Sequence, residues 1–224
     1  MPAKPRTRVD RQAPDSREAR TAFIQNARDA IGIIEPGHEV LFWTKGQFSL
    51  VHCLLVLLEQ CEQPPDVTIS TWTTTKKHLQ EVYSQLRNNA IRSLRWLMDV
   101  SFPKREPLYC EYLRQHFGDD VIRVGQNHAK FMTIRTPARA FSLLTSMNLN
   151  DNPRWELAHI MDDPRICGFL NDTTSAYFEA VPPIEQAGYA EWNQYGNSPD
   201  AVRPNLDAFG ADLDDPNNTG LGFM

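Results

Sequence analysis

The sequence lacks the features that mark exported, membrane-spanning and disulfide-stabilised proteins. Its N-terminus is charged and has no apolar core of the kind that a secretory signal peptide needs. The most apolar run, residues 50–58, is far too short to span a bilayer and contains His52. The four cysteines lie far apart, without a CxxC pair or a Cys/His cluster at zinc spacing, and predict reduced thiols. We therefore expect a cytoplasmic protein with no membrane association.

A strong basic excess is also missing. The chain has 23 Lys+Arg and 28 Asp+Glu, a net charge of −5. Residues 185–224 hold one basic and seven acidic residues, so residues 1–184 hold 22 basic and 21 acidic ones. Strong non-specific DNA binders usually carry a clear basic excess, which this near-neutral body does not have. The first twenty residues are basic, and such an arm can contact phosphates or simply remain solvated.

Composition changes at both ends of the chain and predicts three segments. Residues 1–15 form a basic, flexible N-terminal arm, and residues 16–184 form one domain. Residues 185–224 carry scattered Pro, Gly, Asn and Asp without a sustained period, which predicts an acidic, disordered tail. This tail can cover a phosphate site or bind a protein partner, or it is a solubilising extension.

Strand-like and helix-like segments alternate along the predicted domain. A helix capped by Ser16 and ending near Gly32 comes first. The predicted strands are residues 39–44, 66–72, 93–102, 121–124, 129–134, 140–147 and 155–161. The other predicted helices are residues 50–58, capped by Ser49, a segment capped by Thr74, residues 106–117 and residues 164–181. This order predicts an α/β fold class, a mixed β-sheet flanked by helices on both faces.

In open sheets of this kind, sites form where strands end and loops converge. We expect Lys45, Gln47, Thr73 and Asn152 to contact substrate at such an edge. The Lys45-Gly46-Gln47 segment lacks the spacing of a phosphate-binding P-loop. Four of the tryptophans are most simply core residues, although one or two can stack on bases at the rim, and the sequence does not select which: Trp43, Trp72, Trp96 and Trp155.

Polar residues are concentrated between positions 127 and 156. His128 and Lys130 are two apart on a predicted strand, so their side chains share a face, and such a pair suits an anion. Ser146 and Asn148 repeat this spacing on the next predicted strand, so a hairpin can bring Lys130 and Asn148 side by side. Glu156 opens the following strand and can accept a hydrogen bond from His128. One such motif alone is equally compatible with ordinary polar strand ends.

The order of these residues resembles the signature of the phospholipase D superfamily. That signature is HxK, four residues and Asp, followed by GSxN or GSxxN, and here His-x-Lys is followed eighteen residues later by Ser-x-Asn and then by Glu. The stretch TSMNLNDNPRWE is similar to the second half of the signature in single-copy members of phage or prophage type. Two positions depart from the pattern: Arg135 stands where the family has Asp, and Thr145 where it has Gly.

The resemblance implies a phospholipase D-like fold over residues 16–184 and a role for each matching residue. His128 is the nucleophile that forms a phosphohistidine, while Lys130 and Asn148 hold the non-bridging oxygens. Ser146 supports that oxyanion site, and Glu156 orients His128. The family uses two such motifs per active site, so one motif implies a homodimer whose second His128 is the general acid and then the base. Neither a metal nor another cofactor is implied.

The resulting hypothesis is a metal-independent phosphodiesterase, a nuclease of low sequence specificity for which DNA is favoured over RNA. The main alternative is a catalytically inactive phospholipase D-like protein that binds nucleic acid or has a regulatory role. Phospholipid hydrolysis is a third class, disfavoured because the sequence shows neither exposed apolar loops nor a secretion signal.

Overall fold

A computed structural model describes residues 8–13, 16–21 and 26–184. In these residues nine strands form one sheet: β1 (Arg8–Ala13), β2 (Ser16–Thr21), β3 (Glu39–Thr44), β4 (Asp66–Thr71), β5 (Ser93–Asp99), β6 (Ile122–Gly125), β7 (Phe131–Arg135), β8 (Ala140–Thr145) and β9 (Glu156–Asp162). The helices of the same residues are α1 (Ala27–Ile31), α2 (Leu50–Leu58), α3 (Lys76–Arg87), α4 (Phe102–Arg105), α5 (Pro107–Phe117) and α6 (Pro164–Ala180).

The sheet has the order β2-β1-β3-β9-β8-β7-β4-β5-β6. Strands β4, β5 and β6 are parallel to their neighbours, and the remaining pairs are antiparallel. Strand β3 runs in the same direction as β4 but is separated from it by the meander of β7, β8 and β9. The ends of β3, β4, β5 and β8 therefore meet the starts of β7 and β9 at one edge of the sheet.

Helices cover both faces of this mixed sheet, as the sequence predicts. Strand residues such as Phe42, Ile69 and Trp96 are fully or almost fully buried in one apolar core with helix α2. That helix begins at the predicted cap, where Ser49 and His52 form a capping box, and six of its nine residues are buried. Helix α6 lies on the opposite face, where Asn171 accepts hydrogen bonds from Thr68 and Thr133.

The predicted helix that starts at Ser16 is wrong. Ser16–Thr21 forms strand β2, and β1 pairs with both β2 and the edge of β3. The helix is confined to Ala27–Ile31, where the Asn26 side chain caps it by accepting a hydrogen bond from the Asp29 backbone N–H at 2.9 Å. An open strand edge offers unpaired backbone groups, and it outweighs a weak helical spacing. Part of the predicted flexible arm is thus in the sheet.

Three predicted strands are longer than the observed ones. Strand β5 ends at Asp99, and Phe102–Arg105 forms helix α4 instead. Strand β7 begins at Phe131 and β8 ends at Thr145, so the four residues His128, Lys130, Ser146 and Asn148 lie in loops just outside the strands. The predicted tail, residues 185–224, lies outside the described residues. None of the helices in the described residues has the length and apolar composition that crossing a membrane needs.

Candidate active site

His128 stands on a loop that is anchored to the sheet by the residue before it. The buried Asn127 side chain donates to Ser70 Oγ at 3.0 Å and to the Leu97 carbonyl at 3.1 Å. Its Oδ1 accepts from the Ala129 backbone N–H at 3.1 Å, and Ser70 Oγ donates to the Ala129 carbonyl at 2.8 Å. Because buried polar groups are costly unless bonded, this network fixes the backbone on both sides of His128. The sequence gave no sign of the role of Asn127.

His128 and Lys130 lie side by side in front of β7. The Lys130 ammonium donates to the His128 carbonyl at 2.8 Å and lies 3.4 Å from His128 Nδ1. Partial burial lowers the pKa of Lys130, while the carboxylates of Glu156 and Asp99 act in the opposite direction. The His128 side chain is exposed. An accessible imidazole therefore stands beside a cation, which is the pairing that an anionic substrate requires.

Asn148 is held at the end of β4 with its amide orientation defined. Its Oδ1 accepts from the Trp72 backbone N–H at 3.3 Å. A backbone N–H can only donate, so the acceptor must be the amide oxygen, and the amide nitrogen is directed elsewhere. Among the described residues no hydrogen-bond partner takes up Asn148 Nδ2. Asn148 therefore presents a donor at the same sheet edge as His128.

Glu156 organises the loop that carries Asn148. It is buried, and its two oxygens accept from Ser146 Oγ and, at 3.2 Å, from Asn152 Nδ2. Ser146 is also paired with Leu157 through its backbone N–H and its hydroxyl, both at 3.0 Å. In the described part of the chain no hydrogen bond joins Glu156 to His128, contrary to the expectation. Ser146 and Asn152 lie on the loop that leads into β9, and they occupy the carboxylate instead.

The two departures from the family pattern lie outside this group. Thr145 Oγ1 donates to the Leu157 carbonyl at 2.8 Å and accepts from the Met147 N–H at 2.9 Å, so it braces the turn after β8. Arg135 lies at the far end of β7, where it lines a cleft of about 870 Å³. That cleft contains none of the residues at the His128 edge, and we place the site by its chemistry. The pocket beside Asn148 and Glu156 has a volume of about 10 Å³.

Of the four predicted substrate contacts, Asn152 is in direct contact with a site residue through Glu156. Lys45 lies over the Trp155 ring at 5.3 Å, and Gln47 Oε1 accepts from Thr44 Oγ1 and the Lys45 N–H, both at 2.6 Å. Thr73 is buried, and its carbonyl accepts from the Leu149 N–H at 3.3 Å. These three residues lie at the expected edge, but they build its loops.

Gly46 brings the turn after β3 against the loop of Asn152. Its φ is +72°, and a side-chain carbon there would lie 2.5 Å from the Asn152 carbonyl oxygen. Glycine adopts positive φ without steric cost and permits this close approach. The β3 turn and the loop of Asn148 and Asn152 are therefore coupled through backbone contact.

Trp72 and Arg105 were not identified as site residues from the sequence. The Trp72 ring lies 6.1 Å from the His128 ring, and the Arg105 guanidinium stacks on the other ring system at 3.7 Å from the Trp72 centroid. Arg105 also donates to Ser101 Oγ at 2.9 Å and to the Trp72 carbonyl at 3.0 Å. The position of Trp72 directly after β4 was the available signal. Trp96 is the predicted core residue, whereas Trp43 and Trp155 are about half exposed, at 49% and 48%.

A buried histidine supports the back of the Asn148 loop. His78 Nε2 lies 3.1 Å from Ser49 Oγ and 3.4 Å from Asp151 Oδ1, and its Nδ1 lies 2.6 Å from Thr75 Oγ1. Burial lowers the pKa of His78, against the opposing effect of Asp151. The side chain thus joins the starts of α2 and α3 to the segment between Asn148 and Asn152. Across the described residues, no cluster of three or more His, Cys, Asp or Glu is placed to hold a metal ion.

No protein-family model and no curated protein matches the chain. Among solved structures it is similar to NucT from Helicobacter pylori, with 15% identity, a TM-score of 0.50, and coverage of 65% of this chain and 98% of NucT. Nuc from Salmonella typhimurium, a phospholipase D family member, matches with 9% identity, a TM-score of 0.42, and coverage of 59% and 90%. Phosphatidylserine synthase from Haemophilus influenzae matches with 14% identity, a TM-score of 0.46, and coverage of 77% and 45%.

The likeness to NucT concerns the fold. It extends over almost the whole of NucT, a member of the phospholipase D superfamily. It agrees with the mixed sheet and with the motif residues gathered at one sheet edge. The chain therefore has the phospholipase D-like fold that its motif predicts.

Proposed function

We propose that the chain is a metal-independent phosphodiesterase that cleaves nucleic acid through a phosphohistidine on His128. The observation that carries this proposal is the placement of the exposed His128 beside Lys130, with Nζ 3.4 Å from Nδ1. The free amide N–H₂ of Asn148 lies at the same edge of the sheet. A nucleophile flanked by a cation and a neutral donor matches the charge that develops on phosphoryl oxygens.

The reaction proceeds in two displacements at phosphorus. A ring nitrogen of His128 attacks, the bond from phosphorus to the leaving oxygen breaks, and that oxygen takes a proton from an acid on the opposite side. Water then attacks the phosphohistidine, gives its proton to the same group, and the P–N bond breaks. Lys130 and Asn148 bind the non-bridging oxygens in both steps. Ser146 and Glu156 act by holding the Asn148 loop.

The acid is His128 of a second copy of the chain, because one ring cannot attack phosphorus and protonate the leaving oxygen opposite. The exposure of His128 and the absence of a deep pocket around Asn148 support a site that two copies complete. An apolar surface beside the site also supports this contact. Register places four residues on one face of β3, β9 and β8, with 37–49% of their surface exposed: Leu41, Trp43, Leu144 and Leu157. Contiguous apolar patches of this kind commonly mark contacts between proteins.

The cleavage test uses plasmid and single-stranded DNA in EDTA. The wild type is expected to cut, and His128→Ala is expected to abolish cutting and the covalent phosphoenzyme seen by acid-stable or base-stable labelling. His38→Ala is the matched control, since His38 lines the cleft at the opposite end of the sheet. Retained cutting by His128→Ala would overturn the mechanism. Headgroup release from phospholipid vesicles without DNA cutting would identify the lipid class instead.

The shared site has its own test. When wild-type and His128→Ala chains are exchanged, activity should fall as the square of the wild-type fraction, whereas independent sites give a linear fall. Leu157→Glu, on the apolar surface, should produce an inactive monomer by light scattering. Leu108→Glu is its control, because Leu108 is 76% exposed on α5 and distant from that surface. A fully active Leu157→Glu monomer would exclude the shared site.

A binding protein without turnover is the second candidate. The observation that favours it is the bonding of Glu156 to Ser146 and Asn152, which leaves His128 without a carboxylate partner among the described residues. This candidate predicts nucleic-acid binding that His128→Ala leaves unchanged, with no phosphoenzyme in the wild type. The labelling experiment above separates the two.

A further inference from the structure

We propose that Trp72 and Arg105 form a subsite for the nucleotide next to the scissile phosphate, with its base unpaired. The base stacks on the platform made by the Trp72 ring and the Arg105 guanidinium, and Arg105 binds the flanking phosphate. The proposal rests on the proposed function and adds to it a substrate class, single-stranded nucleic acid.

The Arg105 side chain is organised before any ligand is bound. It is exposed, yet its guanidinium stacks on Trp72 at 3.7 Å and donates to Ser101 Oγ at 2.9 Å and to the Trp72 carbonyl at 3.0 Å. Ser101 is fixed in turn, because its N–H and hydroxyl both donate to Asp99. A guanidinium carries five N–H donors, and these contacts use only some of them. Ordering a long surface side chain in advance removes part of the entropy cost of binding.

The charge of Arg105 is not neutralised locally. Other exposed arginines are paired with carboxylates: Arg28 with Glu59, Arg92 with Asp66, and Arg165 with Asp163. In the described part of the chain Arg105 has no such ion pair, and its partners are a hydroxyl, a carbonyl and a ring. A positioned cation that lacks a carboxylate is available for a phosphate.

The pair lies at the right distance from His128. The ring separations of 3.7 and 6.1 Å place the guanidinium at most about 10 Å from the imidazole. One strand of a duplex carries a phosphate about every 3.4 Å of helix axis, so Arg105 lies roughly one to three phosphates from the reacting one. Trp72 also donates its backbone N–H to Asn148. The stacking platform and the oxyanion donor are therefore fixed to each other.

This arrangement favours an unpaired strand. Bases in a duplex are stacked on their neighbours and are not free to stack on a protein ring, whereas aromatic and guanidinium planes bind the splayed bases of single strands. Stacking tolerates any base, which agrees with low sequence specificity. We therefore expect wild-type protein to prefer single-stranded over duplex DNA of the same length.

The test measures the affinity of two single-stranded oligonucleotides that differ by one abasic nucleotide beside the scissile position. Affinities are measured in the His128→Ala background, so binding is read without turnover. Stacking is worth about 1–3 kcal/mol per base, roughly 5-fold to 150-fold in affinity. With Trp72 present, the intact strand should bind more tightly by a factor in that range. With Trp72→Leu the two strands should bind equally, and Trp72→Phe should retain part of the preference.

Arg105 is tested by salt dependence with the same proteins. Arg105→Gln should reduce the slope of log affinity against log salt by about one phosphate contact. Arg87→Gln, an exposed arginine at the end of α3, should leave the slope unchanged. Trp43→Leu is the matched control for the stacking measurement, and thermal unfolding confirms that each variant is folded.

The outcomes separate this proposal from the proposed function. If the wild type cuts DNA but Trp72→Leu keeps the full preference for the intact strand, the subsite is wrong and the nuclease stands. If the wild type cuts nothing but Trp72→Leu removes the preference in binding, the subsite stands and the nuclease is wrong. An equal affinity for the intact and abasic strands in the presence of Trp72 overturns the subsite in either case.

Discussion

The Asn148 side chain accepts a hydrogen bond from the backbone N–H of Trp72 at 3.3 Å. This contact joins the loop after β8 to the end of β4, two strands that are separated in the sheet by β7. It also determines which end of the amide faces the site, because only the oxygen can accept. The donor that the site needs is therefore oriented by a contact between main chain and side chain.

Replacing Asn148 by Asp tests that orientation. The carboxylate still accepts from Trp72, so the loop should remain in place, but the free donor is lost and a negative charge faces the substrate phosphate. Loss of one oxyanion donor typically lowers kcat by about 10²–10³, and the added charge should bring the effect to the upper end. Initial rates on DNA, with a melting temperature close to that of the wild type, provide the measurement. Asn88→Asp, at the end of α3, is the control; a rate within threefold of wild type for Asn148→Asp would exclude the donor role.

Gly46→Ala and Gly37→Ala form a matched pair. Both glycines have positive φ, +72° and +77°, so an alanine is strained by a similar amount at each position. At Gly37 nothing lies within 4 Å of the added carbon, whereas at Gly46 the Asn152 carbonyl oxygen would lie at 2.5 Å. We expect both variants to lose about 1 kcal/mol of unfolding free energy from strain, and Gly46→Ala alone to lose activity as well. Equal activities would show that the loop of Asn152 is not coupled to the β3 turn.

His78 should make stability depend on pH. Burial holds its folded pKa below the ordinary value of 6.5, so below that value the unfolded chain binds more protons than the folded one. The free energy of unfolding should therefore fall as pH drops through about 6.5, by up to about 1.4 kcal/mol per pH unit, and level off below the folded pKa. Urea unfolding between about pH 5 and 8 should show a shallower fall for His78→Gln. His38→Gln is the comparison; an unchanged slope in His78→Gln would contradict the assignment.

Restoring the family residue at position 135 should harm stability without improving activity. Register places Arg135 opposite Asp66 across β7 and β4. Arg135→Asp therefore sets two carboxylates against each other, at a cost of up to about 1 kcal/mol of unfolding free energy. His128 lies roughly 20 Å away along the strand, so the cleavage rate should not change. Arg135→Gln separates loss of the cation from gain of the anion, and a faster Arg135→Asp enzyme would refute this reading.

Restoring glycine at position 145 should destabilise the turn after β8. Thr145→Gly removes the hydrogen bonds to the Leu157 carbonyl and from the Met147 N–H, each worth about 1 kcal/mol. Chemical denaturation should show a loss of about 2 kcal/mol, of which Thr145→Ser recovers a large part because the hydroxyl remains. A stability for Thr145→Gly equal to that of wild type would show that the threonine does not replace the glycine structurally.

Strong local signals made much of the fold predictable. The buried helix after Ser49 and the strand-length apolar runs at β3, β4 and β9 were assigned correctly, since their burial patterns are continuous. The prediction failed at Ser16, where the free edge of β3 takes up the chain as a strand. It also extended β7 and β8 through the motif, because alternation of polar and apolar residues does not reveal where backbone pairing stops.

The sequence by itself determined the mixed α/β architecture and the set of polar residues that belong to one edge, because strand order and spacing are local properties. Tertiary structure decided which atoms meet there. It assigned Glu156 to Ser146 and Asn152 in place of His128, turned the Asn148 donor outward, and brought Trp72 and Arg105 beside His128. Each of these depends on contacts between strands distant in sequence, where buried polar groups take the nearest partner that packing allows.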